Sequence, residues 1–256
     1  MPKFLCVVLL VFMLANQMFA QNNYNLTQFK DEAIDFLKQP AKWENKDWLK
    51  LGLASVAAFA IMQTDQSVRT EFMKERSYYK SFPIELGRMY GELYSPLLFA
   101  GAFGLNGIFN NDKTSRKIGY EIIQTTIYAG AITTALKFAF GRARPFTEKG
   151  SKSFGNKSLF DDSFRAFPSG HTTIAFSIST VLAKNSESNL VKVLCYVPAI
   201  LTAFSRVYQD KHWVSDVFFG GLIGYTVGSW VTSTHYEKEL LQVGAPEQIS
   251  IVIPIN

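Results

Sequence analysis

The chain has 256 residues, 48% hydrophobic and 18% charged, enough for one domain of medium to large size with a substantial core. Its formal net charge of +5 is mild and is not gathered into a dense Lys/Arg run. That balance favours anionic small molecules or lipid headgroups and argues against a nucleic-acid surface.

Lys3, the apolar run from Phe4 to Leu14 and Met18-Phe19-Ala20 ahead of Gln21 have the layout of a secretory signal peptide, an uncleaved anchor being the lesser alternative. Residues 1–20 are therefore set apart, and residues 21–256 are expected to form a single domain. Cleavage removes Cys6 and leaves Cys195, a small residue in an apolar stretch, with no disulfide to form.

Phe29, Ala33, Phe36 and Leu37 recur at helical spacing, predicting a surface helix that ends near Pro40. Asp47 is the N-cap expected for a second helix running to Met62, and Gln63 to Lys80 reads as loop plus a short helix. Leu86 to Phe109 is expected to be one helix, with Gly91, Gly101, Gly104 and Gly107 permitting close helix approach. After the break at Asn110-Asn111-Asp112, Thr114 to Gly141 predicts one helix about 40 Å long at ~1.5 Å per residue, stopped ahead of Pro145. Phe146 to Phe167 lacks periodicity and is rich in Ser, Gly, Lys and Asp; a loop of that length in a compact domain is usually functional. Helices follow at 169–183, 190–208 and 213–234, and a short strand is conceivable at 248–253. The fold class is all-α, a bundle of about six core helices.

Three polar clusters lie at the ends of these apolar segments. Lys137 and Arg144 are seven apart and leave one face of the long helix. Alone, Lys137 reads as a snorkelling lysine and Arg144 as a helix-end cation, while Arg142 is off that face and is set aside. Ser169-Gly170-His171 opens a helix whose free N–H groups and dipole suit an anion, although a plain Ser N-cap explains Ser169 equally well. His212 and Asp216 are four apart and share a face, so a carboxylate could fix the imidazole tautomer, or the two could be a surface pair. Arg206 precedes His212 by six residues and can reach the same pocket. His235 reads as solvated, and Glu85 and Glu92 as helix-face charges. Three cations, two imidazoles, one carboxylate and a small-residue turn suffice to hold a tetrahedral oxyanion and attack it without a metal.

Lys137 with Arg144-Pro145, Pro168-Ser169-Gly170-His171, and Ser205-Arg206 with His212 and Asp216 resemble, in order and spacing, the three motifs of the type 2 phosphatidic acid phosphatase and vanadium haloperoxidase superfamily. The resemblance spans about residues 114–233. It implies a helical bundle whose helix ends converge on one phosphate pocket. By position, His212 would be the nucleophile that forms a phosphohistidine and Asp216 would orient it. His171 would act as acid and then base, while Lys137, Arg144, Arg206, Ser169 and Gly170 would bind the phosphoryl oxygens.

The resemblance implies a metal-independent phosphatase without cofactor, acting on phosphomonoesters or pyrophosphates. Relatives act on lipid phosphates such as phosphatidate, phosphatidylglycerophosphate, polyprenyl pyrophosphate or lipid A, or are unspecific soluble acid phosphatases. A vanadate-dependent haloperoxidase and a non-catalytic phosphate or lipid-headgroup binder are the alternatives. The expected setting is periplasmic or extracellular at a membrane surface. Only the segment before Arg144 and the last helix approach the ~20 apolar residues of a bilayer span, and mean hydropathy is only +0.06. A soluble or peripheral domain is thus the first expectation and an integral one the second; oligomeric state is not legible.

Overall fold

The computed structural model describes residues 24–155 and 161–244. In chain order its helices are α1 (Leu26–Leu37), α2 (Gln39–Lys42), α3 (Asn45–Met62), α4 (Asp65–Lys74), α5 (Phe82–Tyr90), α6 (Tyr94–Phe109), α7 (Lys113–Phe140), α8 (Gly170–Lys184), α9 (Asn189–Leu194), α10 (Val197–Tyr208) and α11 (Val214–Gly244). Short 3-10 turns occupy Pro145–Thr147 and Asp162–Phe164, and no strand occurs among the described residues. The all-α expectation holds. The leader at 1–20 and the possible strand at 248–253 lie outside the described residues.

Six helices make the principal packing: α8 against α11 and α7, α6 against α7, α5 against α10, and α11 against α7. Ile118, Ile122, Ile174, Ile178 and Val181 form one core cluster, and Tyr128, Ala129, Ile223, Val227 and Val231 a second. Small residues set the closest seam. A Cβ on Gly220 would lie 2.5 Å from the Ser169 carbonyl oxygen, and one on Gly224 2.4 Å from that of Thr173. Any larger residue there would push the start of α8 away from α11.

The single helix expected over 86–109 is two. Gly91 caps α5, and a Cβ on it would meet the His171 carbonyl oxygen at 2.7 Å and Thr202 Cγ2 at 2.7 Å. The chain turns there because only a hydrogen fits between α8 and α10, and the turn carries Glu92 to His171. The expected 190–208 helix is interrupted at Cys195-Tyr196, with Pro198 in the first turn of α10.

His235 is not solvated. It is 1% exposed, its Nε2 3.1 Å from Glu32 Oε2 and its Nδ1 3.0 Å from Glu121 Oε1. Carboxylates are acceptors here, so both ring nitrogens donate and the imidazole is the cation of the cluster. Lys238 Nζ donates to Glu32 at 2.8 Å and Gln124 Nε2 at 2.6 Å. This buried knot docks α1 onto α7 and α11. The sequence reading missed it because the partners of His235 lie 114 and 203 positions away.

Candidate active site

The three motifs meet at one end of the bundle. α7 ends at Gly141 in the left-handed conformation, which releases the chain after Lys137 and lets 142–144 turn across the bundle end. A Cβ on Gly170 would lie 3.8 Å from Lys137 Cε, so the lysine reaches the start of α8. Ser169 N–H donates to the Asp216 carbonyl at 3.0 Å, tying that start to the start of α11. The amides of Lys211 and His212 both donate to the Arg206 carbonyl, at 3.0 and 3.2 Å. That tight turn is how a six-residue spacing brings guanidinium and imidazole together.

Ser169 is fully buried. Its hydroxyl accepts from Thr172 N at 3.4 Å and Thr172 Oγ1 at 3.0 Å. With both acceptor positions taken, its own O–H is left to donate, which suits an anion above the N-terminus of α8. Lys137 Nζ donates to the Arg165 carbonyl at 2.6 Å. Arg144 Nη2 donates to Asp162 Oδ1 at 2.8 Å, and the carboxylate partner is itself mostly in solvent. Arg206 donates through Nη1 to Gln209 at 2.8 Å, while its buried Nε has no partner among the described residues.

His212 is 2% exposed and held by a group the sequence did not indicate. Its Nδ1 lies 2.8 Å from the Ala166 carbonyl oxygen and 3.6 Å from Asp216 Oδ2. A carbonyl can only accept, so Nδ1 carries the proton and Nε2 presents its lone pair. The backbone carbonyl sets the tautomer; Asp216 stands just behind as a negative charge. Burial, then Arg144, Lys137 and Arg206, push the His212 pKa well below 6.5, so the ring is neutral. Lys211 is likewise lowered by partial burial and by Arg144 and Arg206, a mark of the positive field at this end.

His171 is partly exposed, its Nε2 3.3 Å from Glu92 Oε1. Glu92 is therefore more than a helix-face charge, and it also accepts from Arg88 Nη1 at 2.5 Å. Glu85 takes Arg88 Nε at 2.8 Å and Gln209 Nε2 at 2.8 Å. A cavity of about 460 Å³ opens at His171 and Arg206 and is lined further by Tyr79, Lys80, Arg88 and Lys211. Glu85, Glu92 and Gln209 complete the lining, so four cations face two carboxylates, a balance that suits an anionic group.

Arg142, set aside on helical spacing, is fully buried and bonded to Asp216. Spacing misled because α7 ends at Phe140, ahead of Arg142.

Residues 120–240 match the model of the PAP2 superfamily. A lipid A 1-phosphatase of Porphyromonas gingivalis is 33% identical over 108 residues, 40% of this chain and 21% of that protein. An undecaprenyl-diphosphatase of Sulfolobus acidocaldarius is 28% identical over 120 residues, 47% of this chain and 54% of that protein. The chain thus spans about half or less of the length of these curated relatives. The crystal structure of a transmembrane PAP2-type phosphatidylglycerolphosphate phosphatase from Bacillus subtilis superposes with a TM-score of 0.58 at 21% identity, covering 74% of this chain and 94% of that one.

Proposed function

We propose that the chain, whose residues 120–240 match the PAP2 superfamily, is a member of it and a hydrolase that removes phosphate from lipid phosphates, monoesters or pyrophosphates, through a phosphohistidine on His212. The observation that supports this reading is that the fields of Arg144, Lys137, Arg206 and His171 converge on a neutral buried His212, with Lys137 against the start of α8 and with His171 and Arg206 opening on a cavity. Neutral Nε2 attacks phosphorus while the three cations and the Ser169 and Gly170 donors take up the charge that builds on the equatorial oxygens. Asp216, behind the ring, stabilises the imidazolium that forms. His171 protonates the departing oxygen and then draws a proton from the water that cleaves the phosphohistidine. Cations and backbone donors meet the phosphoryl charge, so no metal enters the scheme. The similarity to a lipid A 1-phosphatase and an undecaprenyl-diphosphatase supports the substrate class.

The test is a released-phosphate screen across lipid and water-soluble phosphates with purified protein, followed by acid quench. Turnover resistant to chelators, inhibited by vanadate and accompanied by an acid-labile phosphoenzyme supports the reading. Loss of activity to a chelator and its return with a divalent ion would overturn the metal-free scheme.

We also propose that the protein sits in a lipid bilayer, with the site at the periplasmic or extracellular side. The integral alternative is favoured over the soluble one by an inverted distribution of side chains. On α6, Ser95, Pro96, Ala100, Gly104 and Gly107 face inward, while Leu97, Leu98, Leu105, Ile108 and Phe109 are exposed. On α10 the buried set is Ala199, Thr202, Ser205, Arg206 and the terminal Tyr208, and the exposed set includes Val197, Ile200 and Phe204. Leu49, Leu53, Val56 and Phe59 are likewise exposed on α3. Small or polar inside and large apolar outside is the arrangement lipid selects. The stretch Asn189–Tyr208, α9 and α10 taken together across the turn at Cys195-Tyr196, has the length and hydropathy of a bilayer span, which the sequence reading did not count among the candidate spans.

A further inference from the structure

We infer that Asp65 on α4 and Arg142 are positioning residues for the proposed nucleophile, acting through Asp216; the inference rests on the phosphohistidine reading above. Every guanidinium N–H of Arg142 is used. Nη1 donates to Asp216 Oδ1 at 2.5 Å and to Ser215 Oγ at 2.7 Å. Nη2 donates to Asp65 Oδ2 at 2.7 Å and to the Ser151 carbonyl at 2.6 Å, and Nε to the same carbonyl at 3.0 Å. The Arg142, Asp65 and Asp216 side chains are all fully buried.

Asp65 completes the device from the far side. Its Oδ1 accepts the Ser215 amide at 3.0 Å and its Oδ2 the Ser215 hydroxyl at 2.6 Å, so a carboxylate from α4 caps the first turn of α11. The other oxygen of Asp216 accepts the Trp213 amide at 2.8 Å. Asp216 is therefore locked on both oxygens and stands 3.6 Å from His212 Nδ1 without a hydrogen bond of its own to spare. One guanidinium between two carboxylates leaves one negative charge in a dry interior. Arg142 offsets the repulsion between the two carboxylates and keeps Asp216 aimed at the ring. That charge is what the imidazole needs as it turns cationic. The same helix anchors the catalytic turn a second time, Arg69 of α4 donating to both oxygens of Asp210 at 2.7 and 3.0 Å. Asp65 and Arg69 both lie outside the 120–240 region that marks the superfamily.

The experiment is a double-mutant cycle on the full chain in detergent, with phosphate release from an aryl phosphate as the assay. Wild type must first turn over and yield a phosphoenzyme lost in His212→Ala; failure at that stage counts against the proposed function rather than against this inference. Asp65→Asn, nearly isosteric, is expected to lower kcat by about 10–100-fold with KM within about twofold, as loss of a supporting shell does. In an Asp216→Asn background the same change is expected to lower kcat less than about twofold, because its route of action is already cut. Should Asp65→Asn fail to fold, Ser215→Ala, which removes one hydroxyl, is read through the same cycle with an expected loss of about 3–10-fold. Wild-type kcat in the single variant, or an equal loss with and without Asp216, overturns the inference.

Discussion

At the level of single residues, the site separates two duties that a sequence reader assigns to one carboxylate. The Ala166 carbonyl holds the His212 proton on Nδ1 at 2.8 Å, while Asp216 supplies charge at 3.6 Å. Removing Asp216 therefore leaves tautomer and geometry in place. Asp216→Asn is expected to lower kcat by about 10²–10³-fold, less than the loss to background expected for His212→Ala, with KM nearly unchanged in the former. Full turnover by His212→Ala, measured by phosphate release, would remove it from the reaction. A second consequence follows from the lowered His212 pKa. Below about pH 6.5 the unfolded chain binds a proton at His212 that the folded chain refuses, so stability rises with pH there and falls as pH drops. His212→Gln is expected to flatten the pH dependence of the unfolding midpoint by up to one proton as pH falls below about 6.5. An unchanged slope would mean that the folded ring titrates normally.

Among the elements, α1 and the 146–167 loop make opposite predictions. α1 is joined to the bundle by Glu32, whose partners are His235, Lys238 and Gln124. His235 lies 21 residues beyond the start of α11, about 30 Å from the site at ~1.5 Å per residue. Glu32→Ala leaves Nε2 of the buried imidazolium without an acceptor while Glu121 still holds Nδ1, and is expected to cost about 1–3 kcal/mol in unfolding free energy while sparing kcat of the folded fraction. The loop is pinned at its flanks by Ala143 N–H to the Ser153 carbonyl at 2.9 Å, Arg144 N–H to that of Ser163 at 2.8 Å and Ala166 N–H to that of Arg142 at 3.0 Å. Removing a few residues between these anchors, around 156–160, should alter preference among substrates more than it alters the unfolding midpoint. Equal kinetics across a substrate panel would reduce the segment to a connector.

For the whole molecule the deciding property is which surface meets which solvent. Phe109 is 80% exposed, Leu98 65% and Val193 67%, and helices carrying such faces are expected to stay in the membrane pellet through a carbonate wash until detergent is added. Release by carbonate alone would return the protein to the peripheral setting. Leu98→Lys on the outer face of α6 is expected to cost insertion about 2.5–3.5 kcal/mol where the residue lies near mid-bilayer, read as a lower yield in the membrane fraction. In water the same change would improve solubility.

Local chemistry determined much of this from the sequence alone. Helix periods, breaks such as Asn110-Asn111-Asp112, and the spacing of Lys137 to Arg144 and of His212 to Asp216 depend on neighbours within a few turns, so the all-α class and the candidate residues were legible. What lay beyond reach depends on partners far apart in the chain. Gly91 ends α5 because α8 and α10 press against it. His235 is a buried cation because Glu32 and Glu121 enclose it. Arg142 looked idle on a helical wheel because its partner Asp65 lies 77 positions upstream. The outward apolar faces were hidden as well: hydropathy averages over both sides of a helix, and only packing decides which side is covered.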